Sequence, residues 1–406
     1  MRDFLEDLMG DQPLGTGNNI AVLRKAAGHT QGQLANRAAI SKSMLSKVEV
    51  GDRTASHALI AAVARALRVP VQRIHGQPYR DEPTVPVRID ALRDALRAWD
   101  LPTDDTTPRP LADLAADVHT AQTDRRDGHY VRLAANLPAL LEELAAAAHA
   151  TTDENTRRAL FALLTTGYYC AHGLASRLGY GDLADAIDPK LAWAATRAHD
   201  PLAVALADWT RSASFQAAGD YDHGLQLLDR ARTTLEGGPA DRAHPATVTV
   251  LGSLHLRAVT LASRAKDPGE TTRQLAAAQR LADGFTTEQR HYQLTFGPAN
   301  CRIHHVAAEV ELGRPAAAVH IASGFEPPPE IAPTRAGHHW IDLARANTDT
   351  GNVRAALDTL YRARKTAPEQ TRFHPMVRET ARVLISLHRR SNPGLTRLAT
   401  WLGLNP

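Results

Sequence analysis

The sequence predicts an all-α fold: a small basic head over 1–75, a linker over 76–90, and an array of paired helices over 91–406. Three observations predict it. Apolar residues recur at helical spacing almost throughout, and alternating β-branched runs are few. Gly and Pro punctuate the Ala- and Leu-rich remainder at intervals of roughly 35–50 residues, the length of a stacked helical hairpin. The positive charge gathers at one end. Residues 16–75 hold nine Lys or Arg and two acids, or +7, against +3 for the whole chain, so the remainder sums to −4.

The elements follow in order. Residues 18–27 (NNIAVLRKAA) place Ile20, Leu23 and Ala27 on one helical face, and Gly28 stops that helix. Thr30 can cap a second helix, with Gln33 as its capping-box partner and Leu34, Ala35 and Ala38 on the buried side. Ser41 can cap a third helix, which runs to about Val50 and ends at Gly51. Ser56 opens a fourth, with Leu59, Ile60, Val63 and Leu67 at helical spacing, and Pro70 closes the unit. The three prolines of 76–90 and the absence of a sustained apolar period read as a linker. A helix is expected at about 88–99 and a break at 102–110.

Repeat signals fill the rest. In 339–368, Trp340, Leu343, Ala344, Gly351, Ala356, Leu360, Ala363 and Pro368 match the tetratricopeptide pattern in type and spacing. A partial match lies at 215–231, with Gly219, Tyr221 and Ala231, where Gly224 replaces the small packing alanine. Small residues recur there because paired helices must approach closely before the next pair stacks.

Composition narrows the class of protein. No run of 18 apolar residues appears, so no membrane span is expected. The opening MRDFLEDLMGD is acidic and lacks an apolar centre, so no secretory leader is expected. Cys170 and Cys301 lie far apart, which suits a reduced, cytoplasmic setting. No Walker loop, GxSxG or HExxH is present, and no cofactor, metal or enzymatic activity is implied. His304-His305 and His338-His339 are adjacent pairs that point about 100° apart on a helix, which makes neither a ready metal clamp.

The head resembles the Xre/Cro/phage-repressor family of helix-turn-helix regulators, a lambda-repressor-like fold. The matching residues are Thr30-Gln31, Leu34-Ala35, Arg37-Ala38, Ile40-Ser41, Leu45-Ser46, Glu49, Gly51, Leu59, Ala64 and Leu67. Ala39 stands where the family usually has glycine in the turn; a left-handed Ala39 would cost on the order of 1 kcal/mol. The resemblance implies that the helix over about 42–50 enters the major groove of double-stranded DNA. Lys42, Ser43 and Lys47 then occupy base-reading positions, with Ser46 on the same outward face, and Gln31 helps fix a phosphate. Arg53 can reach backbone phosphate. Met44 can touch a thymine methyl or pack against the scaffold. Glu49 is expected to pair with Arg24 and brace the unit.

Such a head before tetratricopeptide-like helices resembles the RRNPP group of peptide-sensing regulators, and the Arg- and Ala-rich coding style resembles actinobacterial chains of this layout. The layout implies a homodimer on a palindromic operator and a peptide or small-molecule signal in the helical domain. Residue types place Asn347, Arg345, His338 and Asn300 at the concave face expected of such an array. Asn347 could hold an extended peptide backbone or simply bond a neighbouring helix. Apolar residues of 373–402 could complete the last helix pair or form the dimer interface. A protein-interaction scaffold and an antitoxin-like autorepressor are the rival readings.

Overall fold

The computed structural model describes residues 15–79, 84–101, 108–238, 240–387 and 392–404. The head begins with α1 (Thr16–Ala26), α2 (Gln31–Arg37) and α3 (Lys42–Glu49). It ends with α4 (His57–Leu67) and a short α5 (Val71–His75) that Pro70 opens. The expected caps are present. Thr30 and Gln33 form a full capping box, Ser41 accepts from the Met44 amide, and Ser56 accepts from the Leu59 amide. Ala39 is left-handed, at φ 52°.

The next helix, α6 (Thr84–Arg97), begins inside the segment expected to be a linker. Pro86 falls in its first turn, where a missing amide removes no helical bond. The break expected at 102–110 lies mostly outside the described residues.

The array then runs through α7 (Leu111–Asp127), α8 (Tyr130–Ala150), α9 (Glu154–Leu178), α10 (Gly181–Arg197), α11 (Pro201–Ala218) and α12 (Tyr221–Gly237). It continues through α13 (Pro245–Arg264), α14 (Pro268–Ala282), α15 (Pro298–Leu312), α16 (Pro315–Ala322), α17 (Pro333–Asp349) and α18 (Val353–Thr366). Three helices close the chain: α19 (Pro368–Phe373), α20 (Pro375–Leu387) and α21 (Pro393–Trp401). Much of the proline punctuation is explained by helix starts, since proline at the first helical position gives up an amide that has no partner there, although Pro138 and Pro189 lie inside α8 and α10. Gly224 is needed at the α12–α13 contact, because a Cβ there would stand 2.9 Å from Leu261 Cδ1.

One small hairpin interrupts the helices. β1 (Gln289–His291) pairs antiparallel with β2 (Leu294–Phe296) through a turn in which Tyr292 and Gln293 are both left-handed. The sequence reading did not anticipate it: each strand is three residues long, and the turn lacks the usual Gly or Asn.

The array closes on itself. The Thr334 hydroxyl of α17 donates to the Arg126 carbonyl of α7 at 2.7 Å, and the Val131 amide of α8 donates to Glu369 of α19 at 3.0 Å. Phe373 buries in the same apolar cluster as α7–α13. The helices therefore surround a common interior.

The head sits on one rim of this ring, where the first helix of each pair ends. Arg65 donates to the Gly219 carbonyl at 2.7 Å, and Thr54 donates to Asp349 at 3.0 Å. A Cβ on Gly219 would stand 2.6 Å from the Ala61 methyl, and a Cβ on Gly179 2.5 Å from Gln77. Ile20, Leu34, Leu45 and Ile60 of the head join Met376, Val377, Leu384, Leu395 and Leu398 in one buried cluster. The apolar face of the terminal helices is thus part of a core shared with the head.

Candidate nucleic-acid interface and interior site

α3 presents one face to solvent. Leu45 and Val48 are fully buried, while Lys42, Ser43 and Lys47 are exposed. Ser46 is half-buried, Met44 packs partly against the head's core, and Arg53 is exposed just beyond the helix. Gln31 gives an amide hydrogen to Glu49 Oε2 at 2.8 Å, leaving its second N–H uncommitted to that bond.

The helix is held from behind. Arg24 Nε lies 2.7 Å from Glu49 Oε1 and Nη2 lies 2.9 Å from Oε2, a bidentate fork that is almost fully buried. Arg24 Nη1 also donates to the His29 carbonyl at 2.9 Å. α1 crosses the end of α3 at Gly17, where a Cβ would stand 2.0 Å from the Val48 carbonyl oxygen. The expected Arg24–Glu49 brace is therefore observed.

The four residues assigned to the concave face do not form one site. Asn347 is buried, with its amide nitrogen 3.5 Å from Thr359 Oγ1 of the neighbouring α18. Arg345 is buried against Glu311 Oε1 at 2.8 Å and Asp342 Oδ1 at 3.0 Å. Asn300 donates to the Thr295 carbonyl at 2.6 Å and accepts from Arg335 Nε at 2.9 Å. His338 faces the ring's interior, edge-on to His374 at 4.9 Å.

The interior itself is lined by arginines that the sequence reading passed over. Arg125 covers the Tyr169 ring at 4.0 Å and Arg257 covers the Trp209 ring at 3.9 Å. Arg177, Arg264 and Arg335 come within electrostatic reach of the same region. Burial, with the neighbouring Arg177 and Arg335 charges, lowers the Arg257 guanidinium to about 9; burial lowers Arg335 to about 10. Arg257 and Arg264 stand two turns apart on α13, a spacing that could have signalled a shared face.

A charged node joins the interior to the head. His57 Nδ1 of α4 lies 2.7 Å from Glu311 Oε1, and Arg264 Nη2 lies 3.4 Å from His57 Nε2. Burial and Arg264 push the His57 imidazole down to about 4, so at neutral pH it is uncharged and donates its Nδ1–H to Glu311. A separate pocket of about 410 Å³ is lined by Arg211, Phe215, His223, Gln226, Leu227 and Arg230, on the side of α11 away from Trp209. Among the described residues, no group of three or more His, Cys, Asp or Glu is arranged to hold a metal ion. No described helix is long and apolar enough to cross a membrane.

These features define a helix-turn-helix head carried on an all-α array, and a family described as "Helix-turn-helix domain" matches residues 17–75. Among solved structures, the chain is similar to Bacillus thuringiensis PlcR, crystallised in complex with the peptide PapR7 and DNA. That likeness is 12% in identity, covers 83% of this chain and 98% of that one, and has a TM-score of 0.31. No curated protein matches the chain.

Proposed function

We propose that the protein is a sequence-specific DNA-binding transcription regulator whose helical array senses a small ligand. The observation that carries this reading is α3, exposed, basic and braced from behind by a buried ion pair. In the proposed complex Lys42, Ser43, Ser46 and Lys47 face base edges, while Arg53 and the second Gln31 N–H reach phosphates. Met44 either meets a thymine methyl or keeps its packing on the head. The array pairs two copies, setting two heads on half-sites about 34 Å apart in a palindromic operator.

Selection from random duplex DNA followed by mobility shifts tests the reading. Lys42→Ala and Lys47→Ala should each weaken binding to the selected site by about 1–3 kcal/mol at fixed salt. Unchanged affinity in both removes them from readout. Light scattering that finds only monomer at micromolar concentration removes the dimer.

A further inference from the structure

The ring's interior is more cationic than its structure requires. Arg257 keeps its Nε buried and without a hydrogen-bond partner, and so do Arg125 and Arg264; Arg335 keeps Nη2 so. Arg177 is exposed to solvent, yet it stands near Arg125, Arg264 and Tyr169, so it projects into a water-accessible interior walled by other helices. The groups acting most strongly on Arg177 and Arg257 are other arginines and the Tyr130 and Tyr169 hydroxyls, while Asp342 acts on Arg335. The acids at the edge of the region are already committed. Glu311 and Asp342 hold Arg345, and Asp124 holds Arg132.

An array of like charges with unspent donors is costly to fold without an opposite charge. A guanidinium stacked on an aromatic ring also keeps its in-plane N–H edge free, and that edge fits the two oxygens of a carboxylate or phosphate. Arg257 on Trp209 is in that posture, with only a long 3.3 Å bond from Nη1 to Gln216 Oε1, whereas Arg125 on Tyr169 already gives Nη2 to the Tyr169 hydroxyl.

We propose that this interior binds a small polyanion, whose carboxylate or phosphate oxygens meet the inward edges of Arg177, Arg257 and Arg335. The proposal rests on the reading that the array takes a ligand, and it names the chemical class of that ligand. Binding would also reach the head, because Arg264 contacts both the interior and His57.

The test melts the full chain with tricarballylate, pyrophosphate or a glutamate-rich hexapeptide, each against sodium chloride at matched ionic strength. At least one should raise the melting midpoint saturably, and the carboxylate and phosphate arms identify the source of the oxyanion. Arg257→Met and Arg177→Met should each weaken that binding by about tenfold. The same substitutions should raise the midpoint of ligand-free protein, since each removes one of several mutually repelling cations. A purely structural arginine would give the opposite sign. No saturable effect from any probe, or an effect that both substitutions leave intact, overturns the proposal. So does an effect that Lys42→Ala/Lys47→Ala abolishes, which would put the anion on the head. If a neutral or cationic fraction of cell extract shifts DNA affinity while all three anions fail, the array remains a sensor and the anion is discarded.

Discussion

Glu49→Ala should loosen the head without changing which bases it reads. The substitution removes the 2.7 Å and 2.9 Å bonds from Arg24 and the 2.8 Å bond from Gln31. Arg24 is left with the His29 carbonyl as its remaining bond, and its side chain is only 10% exposed. Stranding one partner of a buried pair typically costs about 3–5 kcal/mol. The retained His29 bond and partial solvent access place this case near the lower end, at about 3 kcal/mol. Native-state hydrogen exchange on the full chain reads that directly. Amides of α1 and α3 should exchange roughly 100-fold faster, while those of α13–α15 keep their protection. Replacing the pair with Arg24→Met/Glu49→Leu should restore most of the loss, because a packed apolar pair avoids the stranded charge. Unchanged protection in Glu49→Ala, together with an altered preference among selected DNA sites, would make Glu49 a reading residue and refute the bracing argument.

Other outcomes follow from single features. Ala39→Gly should stabilise the head by about 0.5–1 kcal/mol, the left-handed penalty less the entropy glycine loses, measured by the same exchange; slower folding with no gain would refute it. Gly17→Ala should cost more than about 2 kcal/mol, since its Cβ meets the Val48 carbonyl and backbone cannot step aside; wild-type protection in that variant counts against the close crossing. Stability should fall as pH drops below about 6.5. His75, His172 and His339 are each lowered to about 3 by burial, so the unfolded chain takes protons that the folded chain refuses. Each contributes about 1.4 kcal/mol per pH unit, and Asp188, raised to about 6 by burial, opposes them with one such increment below that pH. His57, lowered to about 4, and His304, His338 and His374, held well below the usual imidazole range by burial, act in the same direction, so stability falls toward pH 4, and a denaturation midpoint that is flat from pH 7.5 to 5 would contradict it.

The head was legible because its signals are local. Thr30 with Gln33, Ser41 and Ser56 announce helix starts within four residues, and the Leu45–Val48 spacing sets which way α3 faces. The pairing of α17 with α18 was legible for the same reason. The interior was not. Its arginines come from α7, α9, α13 and α17, and their meeting depends on the array's curvature, which no spacing within a helix encodes. Asn347 shows the limit from the other side. Its amide was visible, but whether that amide met a ligand or Thr359 depended on how α17 lies against α18. The docking of the head was hidden likewise, because Arg65 and Gly219 are 154 residues apart.

The closure of the ring has a consequence for how the chain is made. A stacked array can fold from its first repeat as it leaves the ribosome, each hairpin settling on the last. Here the first hairpins wait for distant partners, because Arg126 meets Thr334 across 208 residues and Val131 meets Glu369 across 238. At about 5–20 residues per second, that wait lasts roughly 10–50 s. During it the cluster that receives Phe373 stays open, and the head lacks the terminal helices that share its core. A nascent chain arrested at residue 330 should therefore be cut readily by protease near α7 and α8, and one arrested with α21 fully emerged should resist. Helices α17–α21 thus act as a clasp on α7, α8 and the head, and synthesis reaches them only after the elements they hold.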